Sequence, residues 1–564
     1  MPIRITISNN AKQSQKAVLI LPLASLDPAA PDSYRALVLK AAQNKLQIRK
    51  ASRIFVGGTG QELCTEDEWK SALRDDVTLL ISKGEEYVGL RKEVAQGGSD
   101  DGIPNLDCTV NILAHAASVD SLSVTQVETT ARTLPGLIHA VGQPDLHPGT
   151  KFPIGAVFVS KGWIHPPLIG GDIGCGMAWY KTKLNRNQVD GDKGRKVAEK
   201  LRGLEGAWRS QQEREVWLAD GKEEYSAGPE WDAALGTIGA GNHFAEIQVV
   251  EDAVAAETGL CPNDVVLLVH SGSRGYGGNV LKQYVSDTSP SLREDAVKAK
   301  DYMKEHDRAC NWAKANRDLI ALRFLSCLEP GEETWGLGRN TDEQNSTDFD
   351  KLVARTKAKL RERKVVDIWH NNVERIRWPP RPPPAIESSP EEIADRTESL
   401  SLDEGAAYAY VHRKGAAPTY DPQTNKPLTI LPLPGSRGTP TIMLRPVFSQ
   451  ATQYGYKNAL SLAHGAGRAM SRTKALTSIN QKYAGDSASL LQPNASSQAH
   501  VKDGKNVRGG TWVICDEKDL VWEEAPEAYK DVYAVAEDLV REGVAEVIGW
   551  CRPRVSYKVR NGGR

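Results

Sequence analysis

The eight residues Gly170-Gly171-Asp172-Ile173-Gly174-Cys175-Gly176-Met177 constrain this chain more than any other stretch. Four of the eight are glycine, a density at which the backbone turns where side chains cannot follow. The turn sets one carboxylate, Asp172, and one thiol, Cys175, three residues apart, offering a hard oxygen and a soft sulfur to one point. That pair suits a borderline divalent metal. A buried cysteine in a glycine turn is also an ordinary structural feature. Two donors do not complete a site, so the others have to come from elsewhere in the chain.

Histidines are the natural source. Of 11, five stand in phrases that contain or adjoin glycine: Asp145-Leu146-His147-Pro148-Gly149, Gly241-Asn242-His243-Phe244, Val269-His270-Ser271-Gly272, His412-Arg413-Lys414-Gly415 and Ala463-His464-Gly465-Ala466-Gly467-Arg468. A histidine that ends an apolar strand before a flexible turn is placed to face a shared cleft. Each phrase alone reads as an ordinary core or surface residue. The five taken with Asp172 and Cys175 favour a metal site. His115, His139, His165, His306 and His500 lack this context and read as structural. Cations also adjoin glycines, at Arg274, Arg413, Lys414, Arg437 and Arg468. The turn Pro434-Gly435-Ser436-Arg437-Gly438 could form an anion-binding nest, with arginine as a bidentate phosphate partner. A plain turn with a solvated arginine is the competing reading. Neither a Walker P-loop nor a GxGxxG opening a helix is present, so a bound nucleotide would not be held in those ways.

Composition narrows the class. Lys plus Arg (71) balance Asp plus Glu (72), so no global basic field marks a nucleic-acid binder, and any such surface is local. The eight cysteines contain no CxxC pair, the pattern of a reduced intracellular protein. With neither a signal peptide nor an apolar run of about 18 residues, the expected location is cytoplasm or nucleus, with no membrane partner.

Residues 1–90 read as a separate small interaction domain. Strands are expected at 17–23, 53–56 and 77–82, with helices from Ser33 to Leu46 and through Trp69. The order resembles a β-grasp or doublecortin-like fold. Residues 91–108 read as a linker. A large mixed domain, 109–564, follows, interrupted at about 329–400 by a low-complexity, proline-rich insertion. Within that insertion a charged helix is expected at Asp350–Lys364, and Pro382–Leu402 are expected to be disordered.

Seven phrases then carry a resemblance. Pro144 to Gly149, Gly171 to Met177, Gly241 to Glu246, His270 to Gly275, His412 to Ala416, Pro434 to Gly438 and His464 to Arg468 resemble, in order, the motifs of the RtcB family of RNA ligases. The wording is most similar to the subfamily coupled to release factor H. The resemblance implies an α+β fold: a large RtcB-like catalytic domain with a central two-metal cleft, beside the small β-grasp-like domain. It implies a GTP- and Mn²⁺-dependent enzyme that joins RNA 2′,3′-cyclic phosphate or 3′-phosphate ends to 5′-hydroxyl ends, in RNA repair or tRNA splicing.

By motif, Asp172, Cys175 and His243 would hold one Mn²⁺, and Cys175, His270 and His412 the second. His464 would be the guanylylated nucleophile. Asn242, His243, Phe244, Ala245, Glu246, His412, Arg413, Pro434, Gly435, Ser436, Arg437, Thr441, His464, Gly465, Ala466, Gly467, Arg468 and Lys558 would bind GTP. Lys414, Arg413, Arg274 and Arg437 would offset phosphate charge. The chain departs from the family where Thr150-Lys151 replaces Lys-Gly, and where Arg437 follows Ser436 in place of methionine. An RNA-end processor that does not seal efficiently, and an RNA-binding scaffold with a protein partner on the N-terminal unit, are the alternatives.

Overall fold

The computed structural model describes residues 3–11, 15–57, 60–73, 77–87, 107–204, 206–221, 223–239, 241–254, 258–286, 290–340, 348–381, 407–421, 424, 426–493 and 510–559. The chain divides into two compact units, 1–99 and 100–564.

The first unit is a four-stranded sheet in the order Lys16–Leu21, Ile3–Asn9, Val77–Ser82, Arg53–Val56. The central pair is parallel and the two outer pairs are antiparallel. The expected first helix is Tyr34–Lys45, started where the Ser33 hydroxyl accepts the Ala36 N–H. The second, Glu66–Ala72, opens on a capping box between Thr65 and Glu68, which satisfies two backbone donors at once. Ile3–Asn9 is a strand that the sequence reading passed over, although its alternate Ile5 and Ile7 are fully buried. The expected linker lies almost wholly outside the described residues.

The second unit mixes helix with two main sheets. The larger runs Lys364–Trp369, Gly176–Asn185, Asp264–Ser271, Phe244–Ala253, Ala545–Lys558, Thr441–Pro446, Leu431–Pro434, and Trp512–Cys515 pairs in parallel with Ala545–Lys558. Its first five strands are antiparallel neighbours, so alternate strands begin and end at the same edge. Register makes this concrete: Trp369 lies opposite Gly176, Gly176 opposite Ser271, His270 opposite Phe244, and Ala245 opposite Tyr557. One edge therefore collects His370, Cys175, His270, His243 and Lys558 from five distant places in the sequence.

The second sheet runs Asn371–Arg377, Tyr408–Lys414, Ile154–Ser160, Leu137–His147, Thr109–Ile112. The chain passes from the first sheet to the second at His370, between Trp369 and Asn371. A 32-residue helix, Val297–Leu328, lies behind the larger sheet and contributes Trp312, Leu319, Ile320 and Leu322 to its core. No helix among the described residues is long and apolar enough to cross a membrane.

The expected interruption at 329–400 is corrected for much of its length. The charged helix is present as Phe349–Arg363, and it is followed by one strand of each main sheet. The reason is packing: Val366 and Ile368 alternate into the core of the larger sheet. Residues 341–347 and 382–406 lie outside the described residues, and with them the stretch Pro382–Leu402, expected to be disordered.

Leu267 is fully buried at the centre of the His270 strand. Leu267→Ala is expected to lower stability by about 2–5 kcal/mol, read as a fall in denaturant midpoint with little change in slope.

Candidate active site

Cys175 sits where the turn from Gly170 enters the strand Gly176–Asn185. Its sulfur lies 3.3 Å from His243 Nε2, 3.3 Å from His270 Nε2 and 3.2 Å from His370 Nε2. The His270 and His370 Nε2 atoms are 3.2 Å apart, and His243 Nε2 is 2.8 Å from Asp172 Oδ2. Two groups of three donors result, Asp172–Cys175–His243 and Cys175–His270–His370, which share the sulfur. All four residues other than Asp172 are at most 4% exposed.

The donor chemistry fits a cation. His243 Nδ1 faces the Ile238 carbonyl at 3.1 Å, so the ring carries a proton there and turns Nε2 toward Asp172 and Cys175. Against the Asp172 carboxylate oxygen, 2.8 Å away, that Nε2 needs either a proton of its own or a shared cation. The Nε2 atoms of His270 and His370 face each other and the same sulfur, and neither ring's Nδ1 has a hydrogen-bond partner among the described residues. Burial drives both of these imidazoles well below their ordinary pKa, with the neighbouring histidines adding to the effect, so both rings are held neutral. Burial raises the Cys175 thiol, reinforced by Asp172. Burial works against ionisation of Asp172, but His243 outweighs it and holds the carboxyl below its usual value. Imidazole, thiolate and carboxylate together suit a borderline divalent ion.

The approach of the strands depends on glycine at 176, where a Cβ would lie 1.9 Å from the Ile368 carbonyl oxygen. Any side chain there would push away the strand that carries His370. The His370 backbone is further pinned by its N–H, which donates to the Cys175 carbonyl at 2.8 Å.

His412 does not join this cluster, which corrects its expected place. It lies mid-strand in the second sheet, opposite Phe158 and Val373. Its Nε2 accepts the His165 backbone N–H at 2.9 Å, and its Nδ1 faces the Phe158 carbonyl at 3.2 Å. Both nitrogens are thus engaged away from Cys175. His370, absent from the expected ligands, stands in its stead. It ends an apolar strand, Val365 to Trp369, as His270 ends Val265 to Val269, but no glycine adjoins it. That strand-end pattern was the available signal.

His464 follows the short strand Ser461–Ala463. Its Nδ1 is 2.8 Å from Asp145 Oδ2, and its ring centroid is 4.5 Å from that of His370. The Asp145 carboxylate accepts the Nδ1 proton, leaving Nε2 as a lone pair. Gly467, at φ +70°, makes this approach possible, since a Cβ there would stand 2.2 Å from the Asp145 carbonyl oxygen. Asp145 was visible in its motif, but its role as a partner of His464 was not.

A cavity of about 1050 Å³ opens over these groups. Of the residues expected to bind GTP, Asn242, His243, Phe244, Pro434, Gly435, Ser436, Arg437, His464, Gly465, Ala466, Gly467, Arg468 and Lys558 line it. Lys414, Glu524, Tyr529 and Lys530 line it as well. Lys558 Nζ donates to the His243 carbonyl at 3.2 Å and pairs with Glu524 at 3.4 Å. The other expected residues lie behind the wall. Ala245 is packed in the core. Glu246 and Thr441 each accept a hydrogen bond from Gln248 Nε2 at 2.8 Å. Arg413 is fully buried in a 2.6 Å ion pair with Glu374, so it is not available to phosphate in the cavity. Arg274 is also absent from the lining.

Fold and site together define an α+β protein with a shared-thiol cluster of metal-ligating side chains at the floor of a deep cleft. The chain belongs to the RtcB family. The family model described as "tRNA-splicing ligase RtcB" matches residues 126–225, 206–375 and 392–559. The chain is 32% identical to RNA-splicing ligase RtcB2 of Escherichia coli over 467 residues, which span 81% of this chain and 98% of that protein. It is 28% identical to the tRNA-splicing ligase RtcB of Methanococcus maripaludis over 491 residues, 74% of this chain and 88% of the relative. With the tRNA-splicing ligase RtcB of Aeropyrum pernix it shares 27% over 490 residues, 74% and 87% of the two chains.

Titration with Mn²⁺ separates the two histidines. His370→Ala is expected to weaken uptake of the ion, whereas His412→Ala leaves it unchanged, at a stability cost of about 1–3 kcal/mol for the unsatisfied His165 N–H. A second check uses Glu246, whose carboxyl is pushed up to about 7 by burial, against a hydrogen bond from Gln248 and the charge of Lys558. The folded chain keeps a proton that the unfolded chain releases near 4.5, so stability is full below that value and falls as pH rises to about 7. Glu246→Gln is expected to flatten that fall in denaturation series across the window.

Proposed function

We propose that this chain is an RNA ligase that uses GTP and two Mn²⁺ ions to join RNA 2′,3′-cyclic phosphate or 3′-phosphate ends to 5′-hydroxyl ends, in splicing or repair. The observation that carries the reading is His464, held by Asp145 beside the cysteine–histidine cluster in one cleft. Family membership supports it, as do relatives whose names are RNA-splicing and tRNA-splicing ligases.

The residues have the following roles. Asp172, Cys175 and His243 would hold one ion, and Cys175, His270 and His370 the other. Bound there, the ions supply neutralising charge for phosphate groups. Asp145 keeps the proton on His464 Nδ1, so Nε2 is the nucleophile. His464 Nε2 attacks the α-phosphorus of GTP; a nitrogen–phosphorus bond forms and pyrophosphate leaves. An oxygen of the RNA 3′-phosphate then takes the guanylyl group, and His464 departs with its lone pair restored. The 5′-hydroxyl oxygen attacks the activated 3′-phosphorus, loses its proton, and GMP leaves. A cyclic phosphate is opened by water beforehand.

Lys414, Arg437, Arg468 and Lys558 on the cavity wall balance phosphate charge and anchor the nucleotide. The pairing of His464 with Asp145 is a nucleophile oriented by a second group, the arrangement expected of covalent catalysis. We read the N-terminal unit, with its crossing helix and parallel central strands, as a β-grasp-like module that contacts a protein partner.

Incubation with labelled GTP and Mn²⁺ is expected to give an acid-labile covalent adduct, absent in His464→Ala. Asp145→Asn is expected to slow its formation on the order of 10²-fold by allowing the wrong tautomer. An undiminished adduct in His464→Ala would remove the nucleophile from this scheme.

A further inference from the structure

Arg317 lies on the long helix Val297–Leu328, outside every motif of the sequence, and its side chain is fully buried. Its Nε and Nη2 donate to Asp367 Oδ1 at 2.9 and 2.7 Å. Its Nη1 donates to the Gly174 carbonyl at 2.9 Å and to the Ser271 carbonyl at 3.0 Å. These three partners have one thing in common. Gly174 precedes Cys175, Ser271 follows His270, and Asp367 stands three residues before His370. One guanidinium therefore ties together the three chain segments that carry one complete donor group. A fourth observation agrees: a Cβ on Gly176 would come within 3.1 Å of Arg317 Cζ, so the strand leaves room for the guanidinium there.

We propose that Arg317 is the positioning residue that sets the spacing of Cys175, His270 and His370, and through it the affinity of that group for its cation. The inference rests on the metal-centre reading above. A buried ion pair is usually a weak source of net stability, because desolvation offsets the Coulomb gain. Its better-attested use is geometric, and the shape of this group suits that use. Arginine presents planar donors in a rigid fork, so it can hold a carboxylate on one side and two carbonyls on another at fixed mutual angles. A lysine has a single nitrogen and cannot span the same three partners. Asp367 also faces Lys364 Nζ at 3.3 Å, which keeps it anchored from the strand side. The neighbouring Asn316 acts in parallel, donating to the Gly272 carbonyl and the Ser271 hydroxyl and accepting the Gly236 N–H. The helix is thus a rigid back-plate for loops that share no local sequence.

The test is Mn²⁺ titration of the full chain by calorimetry, for the wild type and for Arg317→Met, Arg317→Lys, Asp367→Asn and Arg554→Met. Arg554 is the control, since it is equally buried and paired with Asp190 and Glu251 away from the cluster. The expected result is two binding events in the wild type. Arg317→Met should lose one event or weaken it at least tenfold, Arg317→Lys should recover it only in part, and Asp367→Asn should weaken it severalfold. Arg554→Met should lose thermal stability yet bind Mn²⁺ as the wild type does. A folded Arg317→Met with unaltered binding overturns the inference, as does an equal loss in Arg554→Met. Should Arg317→Met fail to fold, unaltered binding by Asp367→Asn overturns it. A wild type that takes up no Mn²⁺ overturns the metal-centre reading along with it, whereas wild-type binding matched by the Arg317 variants overturns this inference alone.

Discussion

Three imidazole nitrogens stand within 3.3 Å of one buried sulfur, and two of those nitrogens face each other. Burial holds the His270 and His370 rings neutral, so each keeps a lone pair to offer a ligand. The rest of the large unit is arranged to hold this convergence in place. Its natural complement is a cation that the sulfur and the imidazoles coordinate together. The shared sulfur gives Asp172 and Cys175 different parts: one thiol belongs to both donor groups, and the carboxylate serves only one of them.

Antiparallel pairing is the device that gathers the donors. Neighbouring strands that run in opposite directions present alternate starts and ends at one edge, so a strand's first residue stands beside its neighbour's last. Cys175 precedes its strand, His270 lies near the end of the next, and His243 precedes the one after. His370 has an added constraint, because the chain changes sheets there and its backbone is pinned by the Cys175 carbonyl. His464 reaches the same place from the second sheet's side, through Asp145. His464 and the cluster are therefore supported by different sheets that meet at one cleft.

The error over His412 and the omission of His370 share a cause. Both residues end a run of apolar strand residues, and the glycine beside His412 made it the more conspicuous of the two. Glycine signals a bend, but it does not say which sheet the bend belongs to. His412 faces His165 because strand register places it opposite Phe158, mid-sheet. Register of this kind is a long-range property. The same limit hid Arg317, whose partners lie 143, 46 and 50 residues away along the chain.

What the sequence determined by itself was the chemistry on offer: the Asp172–Cys175 turn, four of the five residues of the two donor groups, His464 and the glycine turns that line the cavity. These were legible because glycine bends and strand-end histidines are local features, readable within a few residues. Only the tertiary structure decided which histidine completes the second group, which arginines face the cleft and which are spent in buried ion pairs, and that Asp145 orients His464. Each of those outcomes depends on which strands pair and in what register. That is settled by burial of a core drawn from the whole of residues 107–559, and not by any one stretch of it.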